Sequence, residues 1–226
     1  MIIGIIAAME PEIKHIINSL CDKIEHNING VVIHEGLIGS HKVVVSLSGI
    51  GKVNSAINTA LLINSFNPDL IINSGIAGGS KELETRDFVI ADCLTYSDFD
   101  CQVFNYSFGQ VPGMPQFFYS DENYKRSLEN FLKNNNIKFK NSMILTADSF
   151  RLSSTEIKNN VTSSFATEME GTSIAQTCYK LSVPFLSFRI ISDILDSENH
   201  IEEYSKFESE CAELSSKVIV NFINKI

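Results

Sequence analysis

The feature that most constrains the fold is a set of short apolar runs in which hydrophobic residues follow one another instead of alternating with polar ones. Segments 1–7 and 69–73 are continuous, rich in β-branched side chains and too short for buried helices. A strand that is apolar on both faces has to be covered on both faces, as strands of a parallel sheet between helices are. Further strands are expected at 31–37 and 42–47, joined by a turn containing Gly39, and at 88–94, 142–147 and 184–191.

Between these runs the spacing becomes helical. After the first strand Met9, Ile13, Ile16, Ile17 and Leu20 share one face, with Pro11 and Glu12 in the first turn. Proline gives up no hydrogen bond there, and a carboxylate meets the positive helix end. SGIGKVNSA, residues 48–56, opens a second helix whose inward face is expected to carry Ala56, Ala60, Leu61 and Ile63. Helices are expected at 121–134, 170–181 and about 200–225. The strand at 69–73 is expected to end in a glycine loop, SGIAGGS, permitting close backbone approach and positive φ. Residues 97–118 mix Gly, Pro and aromatics without a period, and a loop that long is usually functional or interfacial.

Alternating strands and helices predict a single α/β domain over 1–226, a three-layer α/β/α arrangement with a mixed, mostly parallel central sheet. With 44% hydrophobic residues the chain can bury roughly 70% of its unfolded surface. In such sheets the ligand crevice lies beyond the carboxyl ends of the strands. That directs attention to residues 8–12, 48–52, 73–80, 147–151 and 192–196.

The charge balance narrows the partners. With 18 basic and 27 acidic residues the net charge is −9, which argues against nucleic acid or an anionic membrane. Cys21, Cys93, Cys101, Cys178 and Cys211 are odd in number and form no Cys-x-x-Cys pair, so a disulfide framework or zinc site is not expected. MIIGIIAAM has no basic flank and is too short to cross a bilayer. A cytoplasmic location is the expectation.

No Walker loop, GxGxxG fingerprint, GxSxG elbow or HExxH pair occurs, and no histidine sits at a strand end. A general acid or base is therefore expected to be a carboxylate. Asp193 follows the apolar run 184–191, where desolvation can keep a carboxyl protonated; the alternative is a helix cap or surface turn. Glu170, in ThrGluMetGluGly, and Glu12 each begin a helix, where dipole complementation is the competing role. Arg189 lies inside an apolar strand and needs a partner, an ion pair or a ligand. Phe150 can stack on a flat base or pack in the core.

Taken together and in order, GIIAAMEPE (4–12), SGIGKVNSA (48–56), INSGIAGG (72–79), FNYSFGQVPG (104–113), ADSF (147–150), TEMEGTSIA (167–175) and RIISD (189–193) are far more specific. The set closely resembles the bacterial methylthioadenosine/S-adenosylhomocysteine nucleosidases of the nucleoside phosphorylase superfamily, from residue 2 to about residue 196. The resemblance implies a nucleoside phosphorylase-like fold and hydrolysis of an adenine–ribose bond without metal or organic cofactor. It implies that Glu12 activates the attacking water and Asp193 protonates adenine N7. Glu170 would bind the ribose hydroxyls, with Met169 beside the sugar and Arg189 near the water. Phe150 would sandwich the base, and the main chain of Arg151 would read its edge. Ile50, Ile76 and Cys101 complete the implied substrate contacts. The stretch 104–112, with Phe104, Tyr106 and Pro112, would reach into a partner subunit's pocket, making the active unit a homodimer.

Three positions depart from the family pattern. Ile76 stands where a small hydroxyl residue is common, and Arg151 where an aliphatic one is. After Asp193, SENHIEEYSKFE lacks a clear match to the family's pocket-capping phenylalanine, leaving Tyr204 or Phe207 for that part. A phosphorylase of the same fold would need cations for phosphate, yet the loop after the first strand carries Glu10 and Glu12 and no arginine. A nucleoside-binding protein with weakened catalysis is a further alternative. Methylthioadenosine, S-adenosylhomocysteine, 5'-deoxyadenosine and aminodeoxyfutalosine share the adenine–ribose part, and the sequence leaves the choice among them open.

Overall fold

The computed structural model describes residues 1–198 and 200–226, and of Glu156 and Lys158 the backbone only. The elements run β1 (Ile2–Ala7), α1 (Glu10–Asn18), β2 (Cys21–Ile28), β3 (Val31–Ile38), β4 (His41–Leu47), α2 (Lys52–Phe66), β5 (Leu70–Gly79) and β6 (Phe88–Tyr96). There follow α3 (Glu122–Asn134), β7 (Phe139–Thr146), α4 (Thr155–Lys158), β8 (Phe165–Glu168), α5 (Gly171–Leu181), β9 (Phe185–Ile194) and α6 (His200–Ile223). The strands form one mixed sheet in the order β2-β3-β4-β1-β5-β8-β7-β6-β9. Because β9 also pairs with β5, the last five strands of that order close into a ring. Among the described residues five of the nine pairings are parallel.

The continuous apolar runs do sort to two faces. Ile3, Ile5 and Ala7 of β1 meet Ile13 and Ile16 of α1, Leu128 of α3 and Ile219 of α6. Ile6 of β1 and Val44 of β4 point the other way, onto Leu62 of α2 and Ile174 of α5. Helices therefore cover both sides of the sheet, the arrangement expected for strands without a polar face. Among the described residues no helix is long and apolar enough to cross a membrane.

Several local expectations are corrected. The glycine run 74–79 is not a loop: it continues β5, in parallel register with β9 as far as Gly79 against Ile194. None of Gly75, Gly78 and Gly79 adopts positive φ. Close approach is their purpose, as the site shows. In α2 the buried residues are Ser55, Asn58, Thr59, Leu62 and Ile63, whereas Ala56, Ala60 and Leu61 are half-buried. The helix packs small polar residues onto α5, where the Ser55 hydroxyl meets that of Ser173 at 2.6 Å. Strand β2 is an exposed antiparallel edge whose sequence, CDKIEHNI, has no apolar run to announce it. Strand β8 is only four residues, FATE.

Candidate active site

The carboxyl ends of β1, β5, β8 and β9 converge on one cavity of about 300 Å³, at the small end of ligand pockets and lined by mostly apolar surface. Glu12, Glu170, Arg189 and Asp193 all border it, with Met169, Phe150, Ile50, Ile76 and Tyr204. Nine of the residues singled out from sequence thus meet in one place, and Tyr204, not Phe207, closes the side formed by α6. Phe207 instead lies under the Arg86 guanidinium, 5.1 Å from its ring centre. Asn199, within the divergent stretch 197–207, lies outside the described residues.

Glu12 is fixed by the turn between β1 and α1. Its Oε2 accepts the N–H groups of Ala8 and Met9, both at 3.0 Å, and its Oε1 accepts that of Ile76 at 2.9 Å. Burial pushes its proton affinity up, against the pull of Arg189 and of those three amides. The last of these amides reaches Glu12 because position 75 has no side chain. A Cβ on Gly75 would stand 2.6 Å from Arg189 Nη1 and 2.8 Å from Glu12 Cδ, so β5 carries glycine where the acid and the guanidinium must pass.

Arg189, 1% exposed in β9, finds the ion pair that its buried position demands. Nη2 donates to Glu168 Oε2 at 2.5 Å and to Asn73 Oδ1 at 2.7 Å, and Nη1 donates to the Ile76 carbonyl at 3.2 Å. Glu170 sits at the N-cap of α5, and its Oε1 accepts the Gly51 N–H at 2.8 Å. Burial, then the neighbouring Glu168 charge, push its pKa up to about 7, with Glu12 adding to them and Arg189 and the Gly51 amide opposing.

Asp193 lies within β9, two residues further along the strand than the expected end. One oxygen accepts the Ser192 hydroxyl; the other is 2.7 Å from His200 Nε2, without the alignment of a hydrogen bond. Burial holds its carboxyl above the usual aspartate range, while Ser192 and His200 pull it down. Such a group can keep a proton where an exposed aspartate has lost it.

Other expected contacts fall outside the cavity. Arg151 borders a recess of about 30 Å³ between Phe150 and Asp193, and its guanidinium turns back toward the Ser97 carbonyl at 3.4 Å. Cys101 does not line the cavity: the chain leaves the sheet after β6, and Cys101 caps a single 3-10 turn, Gln102–Phe104. Phe104 is 72% exposed, Pro112 is exposed and Tyr106 half-buried, and none reaches this chain's own cavity. Sequence reasoning missed Glu168, Asn73, Ser192 and His200. A polar residue inside an otherwise apolar strand is the signal that Asn73 and Ser192 offered; Glu168 had none while β8 was unseen.

The model of the phosphorylase superfamily matches residues 2–224. A 5'-methylthioadenosine/S-adenosylhomocysteine nucleosidase of Staphylococcus carnosus is 39% identical over 99% of this chain and 100% of its own length. The nucleosidase of that name from S. pneumoniae, solved with the transition-state inhibitor MT-ImmA, superposes with a TM-score of 0.93 at 35% identity, covering 99% of both chains. The S-adenosylhomocysteine nucleosidase of Streptococcus pyogenes, in complex with 5-methylthiotubericidin, gives 0.92 at 32% identity over 100% of this chain and 97% of its own.

Proposed function

The chain belongs to the methylthioadenosine/S-adenosylhomocysteine nucleosidases of the phosphorylase superfamily, and from that membership we propose how its cavity hydrolyses the N-glycosidic bond of these nucleosides to release adenine. The observation that carries the reading is that Glu12 and Asp193, 181 positions apart in sequence, border the same small cavity with raised proton affinities.

Cleavage passes through an oxocarbenium-like state that needs a proton on the leaving group and an activated water on the sugar. Asp193, protonated through burial, donates to N7 of the departing adenine. Glu12 takes the proton from water as the oxygen bonds to C1' of the ribose. The proton gained by one carboxyl and lost by the other balances the addition of one water. Glu170 receives the ribose hydroxyls, and its charge lies beside the developing cation, favouring the transition state over the ground state. Phe150 and Met169 flank base and sugar, and Tyr204 with Ile50 bounds the end where the 5' substituent projects.

Hydrolysis is favoured over phosphorolysis by the same geometry. Glu12 and Glu170 border the cavity where the proposed pose puts C1', and a phosphate dianion there would meet two carboxyl groups. The functional unit we propose is a homodimer, in which exposed Phe104 and Pro112 close a partner's cavity; exposed Val53 and Ile57 on α2 give that contact an apolar face. Five unpaired cysteines support a reducing, cytoplasmic setting, and the role is recycling of S-adenosylmethionine by-products. Adenine release from methylthioadenosine is the test. It should proceed at the same rate with and without phosphate, and strict phosphate dependence would replace hydrolase by phosphorylase.

A further inference from the structure

Three carboxyls, Glu12, Glu168 and Glu170, surround one guanidinium in this cavity, so Arg189 can be the close partner of only some of them. We propose that Glu168 is a positioning residue for the cleavage: it takes Arg189 as its own ion-pair partner, keeping the guanidinium off Glu12 and Glu170, and anchors the turn that aims Glu170 at the sugar. The inference rests on the reading of the cavity as the nucleoside site.

Glu168 is bonded to three separate elements, α5, β7 and β9. Its Oε2 accepts the N–H of Glu170 at 2.9 Å, the N–H of Gly171 at 2.6 Å and Arg189 Nη2 at 2.5 Å. Its Oε1 accepts the Thr146 hydroxyl. Although the residue borders the cavity, both oxygens are thus spent within the chain, Oε2 on the start of α5 and on Arg189 in the middle of β9, and Oε1 on the end of β7. Among the described residues Arg189 makes no ion pair with Glu12 or Glu170. Glu12 and Glu170 therefore feel its charge only through space, while Glu168 raises the proton affinity of Glu170 directly.

The chemical consequence follows from which carboxylate is paired. A glutamate in contact with arginine is a weak base. One that is buried and held by amides alone is a stronger one, better suited to taking a proton from water near neutral pH. Glu168 leaves Glu12 in the second condition. It also leaves the cavity with more negative than positive charge, which favours a cationic transition state. The groups facing Glu170 are Glu168 beside it, Arg189 from β9, the Gly51 amide from the start of α2, Glu12 from α1 and, across the cavity, Tyr204 from α6.

Glu168→Gln tests this with little change of shape. The amide oxygen can accept the three N–H groups at Oε2, and the amide nitrogen can face the Thr146 hydroxyl, which turns to accept it. Glu170 should titrate near pH 7 in the parent, followed by carboxyl-carbon NMR without substrate, and at least half a unit lower in the variant. Turnover should fall about tenfold or more, KM should stay within about threefold, and the acidic limb of the pH–rate profile should move to lower pH. Glu168→Asp, which keeps the charge, should restore much of the parent profile. A parent Glu170 titrating in the ordinary glutamate range overturns the proposal even if the Gln variant does not fold. So does a Gln variant whose Glu170 titration and pH profile are unmoved, whatever its stability. Absence of adenine release by the parent would instead remove the functional reading, and the NMR titration would still decide the electrostatic role of Glu168.

Discussion

At one end of the cavity Glu12, Glu168, Glu170 and Arg189 hang from strand ends and the first turns of α1 and α5, each buried and each bonded to backbone amides, carbonyls or one another. At the other end Phe150 is 48% exposed on the segment after β7, and its ring is met edge-on by His200 at 5.5 Å and Tyr204 at 5.1 Å from α6. The two strips of chain at that end are buckled by Asp196. It accepts the Ser153 hydroxyl at 2.9 Å, the Ser154 N–H at 3.0 Å and the Ser154 hydroxyl, with its own backbone in the left-handed region at φ 64°. On the proposed reading the first end takes the ribose, common to every purine ribonucleoside, and the attacking water, and it is built into regular structure. The end proposed for the base and the 5' substituent is held by side chains meeting across loops, so it can differ between relatives without disturbing the sheet.

The largest expected effects separate the two ends through isosteric changes. Glu12→Gln and Asp193→Asn should each reduce turnover by about a hundredfold to ten-thousandfold, with nucleoside binding largely kept, since each removes a proton-transfer group and preserves shape. Their effects on stability should differ. All three donors on Glu12 are backbone N–H groups that cannot turn, so an amide nitrogen there must face at least one of them, costing about 1–3 kcal/mol. Asp193 is met by a rotatable hydroxyl and an imidazole, which can accommodate an amide. Thermal melts of the two variants check this. Equal loss of stability would mean that the acid's surroundings are as rigid as the base's.

A second measurement concerns pH. Glu170, with its folded pKa raised to about 7, holds a proton that the unfolded chain releases above roughly pH 4.5. The folded state then binds more protons than the unfolded one across that window, so stability is greatest at its acidic side and falls as pH rises toward 7. For Glu170 alone the span is on the order of 3 kcal/mol, and the raised Glu12 and Asp193 act in the same direction. The melting temperature of the unliganded protein should drop by several degrees between pH 5 and pH 7.5, and Glu170→Gln should flatten that slope. A parent whose melting temperature rises across the interval would mean that the buried end is better compensated than its contacts indicate.

The same contrast explains what could be read from sequence. Glu12, Glu170, Arg189 and Asp193 stand beside apolar runs and carry charges that burial makes conspicuous, so they stood out as candidates once the runs were placed, and the structure brings them to one cavity; the roles proposed for them came from the resemblance and not from local pattern. Glu168 is as buried as its neighbours, yet it belongs to a four-residue strand with no period, and only pairing with β5 and β7 makes FATE a strand. The glycines of 74–79 suggest a loop because the residues that require their smallness, Glu12 and Arg189 at Gly75 and Asp193 and Thr167 at Gly78, come from elsewhere in the chain. His200 gives no signal, since its partner Asp193 lies seven positions back across a turn. Local pattern reveals groups that sit beside their own strand and hides those whose purpose is set by another.

The smallest expected effect, at Ile76, tests whether dryness or hydrogen bonding matters more at the buried end. The main chain of Ile76 gives its N–H to Glu12 and its carbonyl to Arg189, and any residue can supply both. The side chain, 6% exposed, adds apolar surface beside the position proposed for the water, where a hydroxyl is common in the family. Ile76→Ser removes buried carbon, which should cost about 1–3 kcal/mol and several degrees of melting temperature. In return the hydroxyl offers the attacking water a further partner. If positioning of the water limits the rate, turnover should rise about twofold to tenfold with KM little changed. If the apolar wall is what keeps Glu12 a strong base, turnover should fall and the acidic limb of the profile should shift to lower pH, because a wetter Glu12 loses its proton more readily. The first outcome is expected: three amides and the surrounding strands already keep Glu12 2% exposed, so one methyl-rich side chain contributes little to its desolvation.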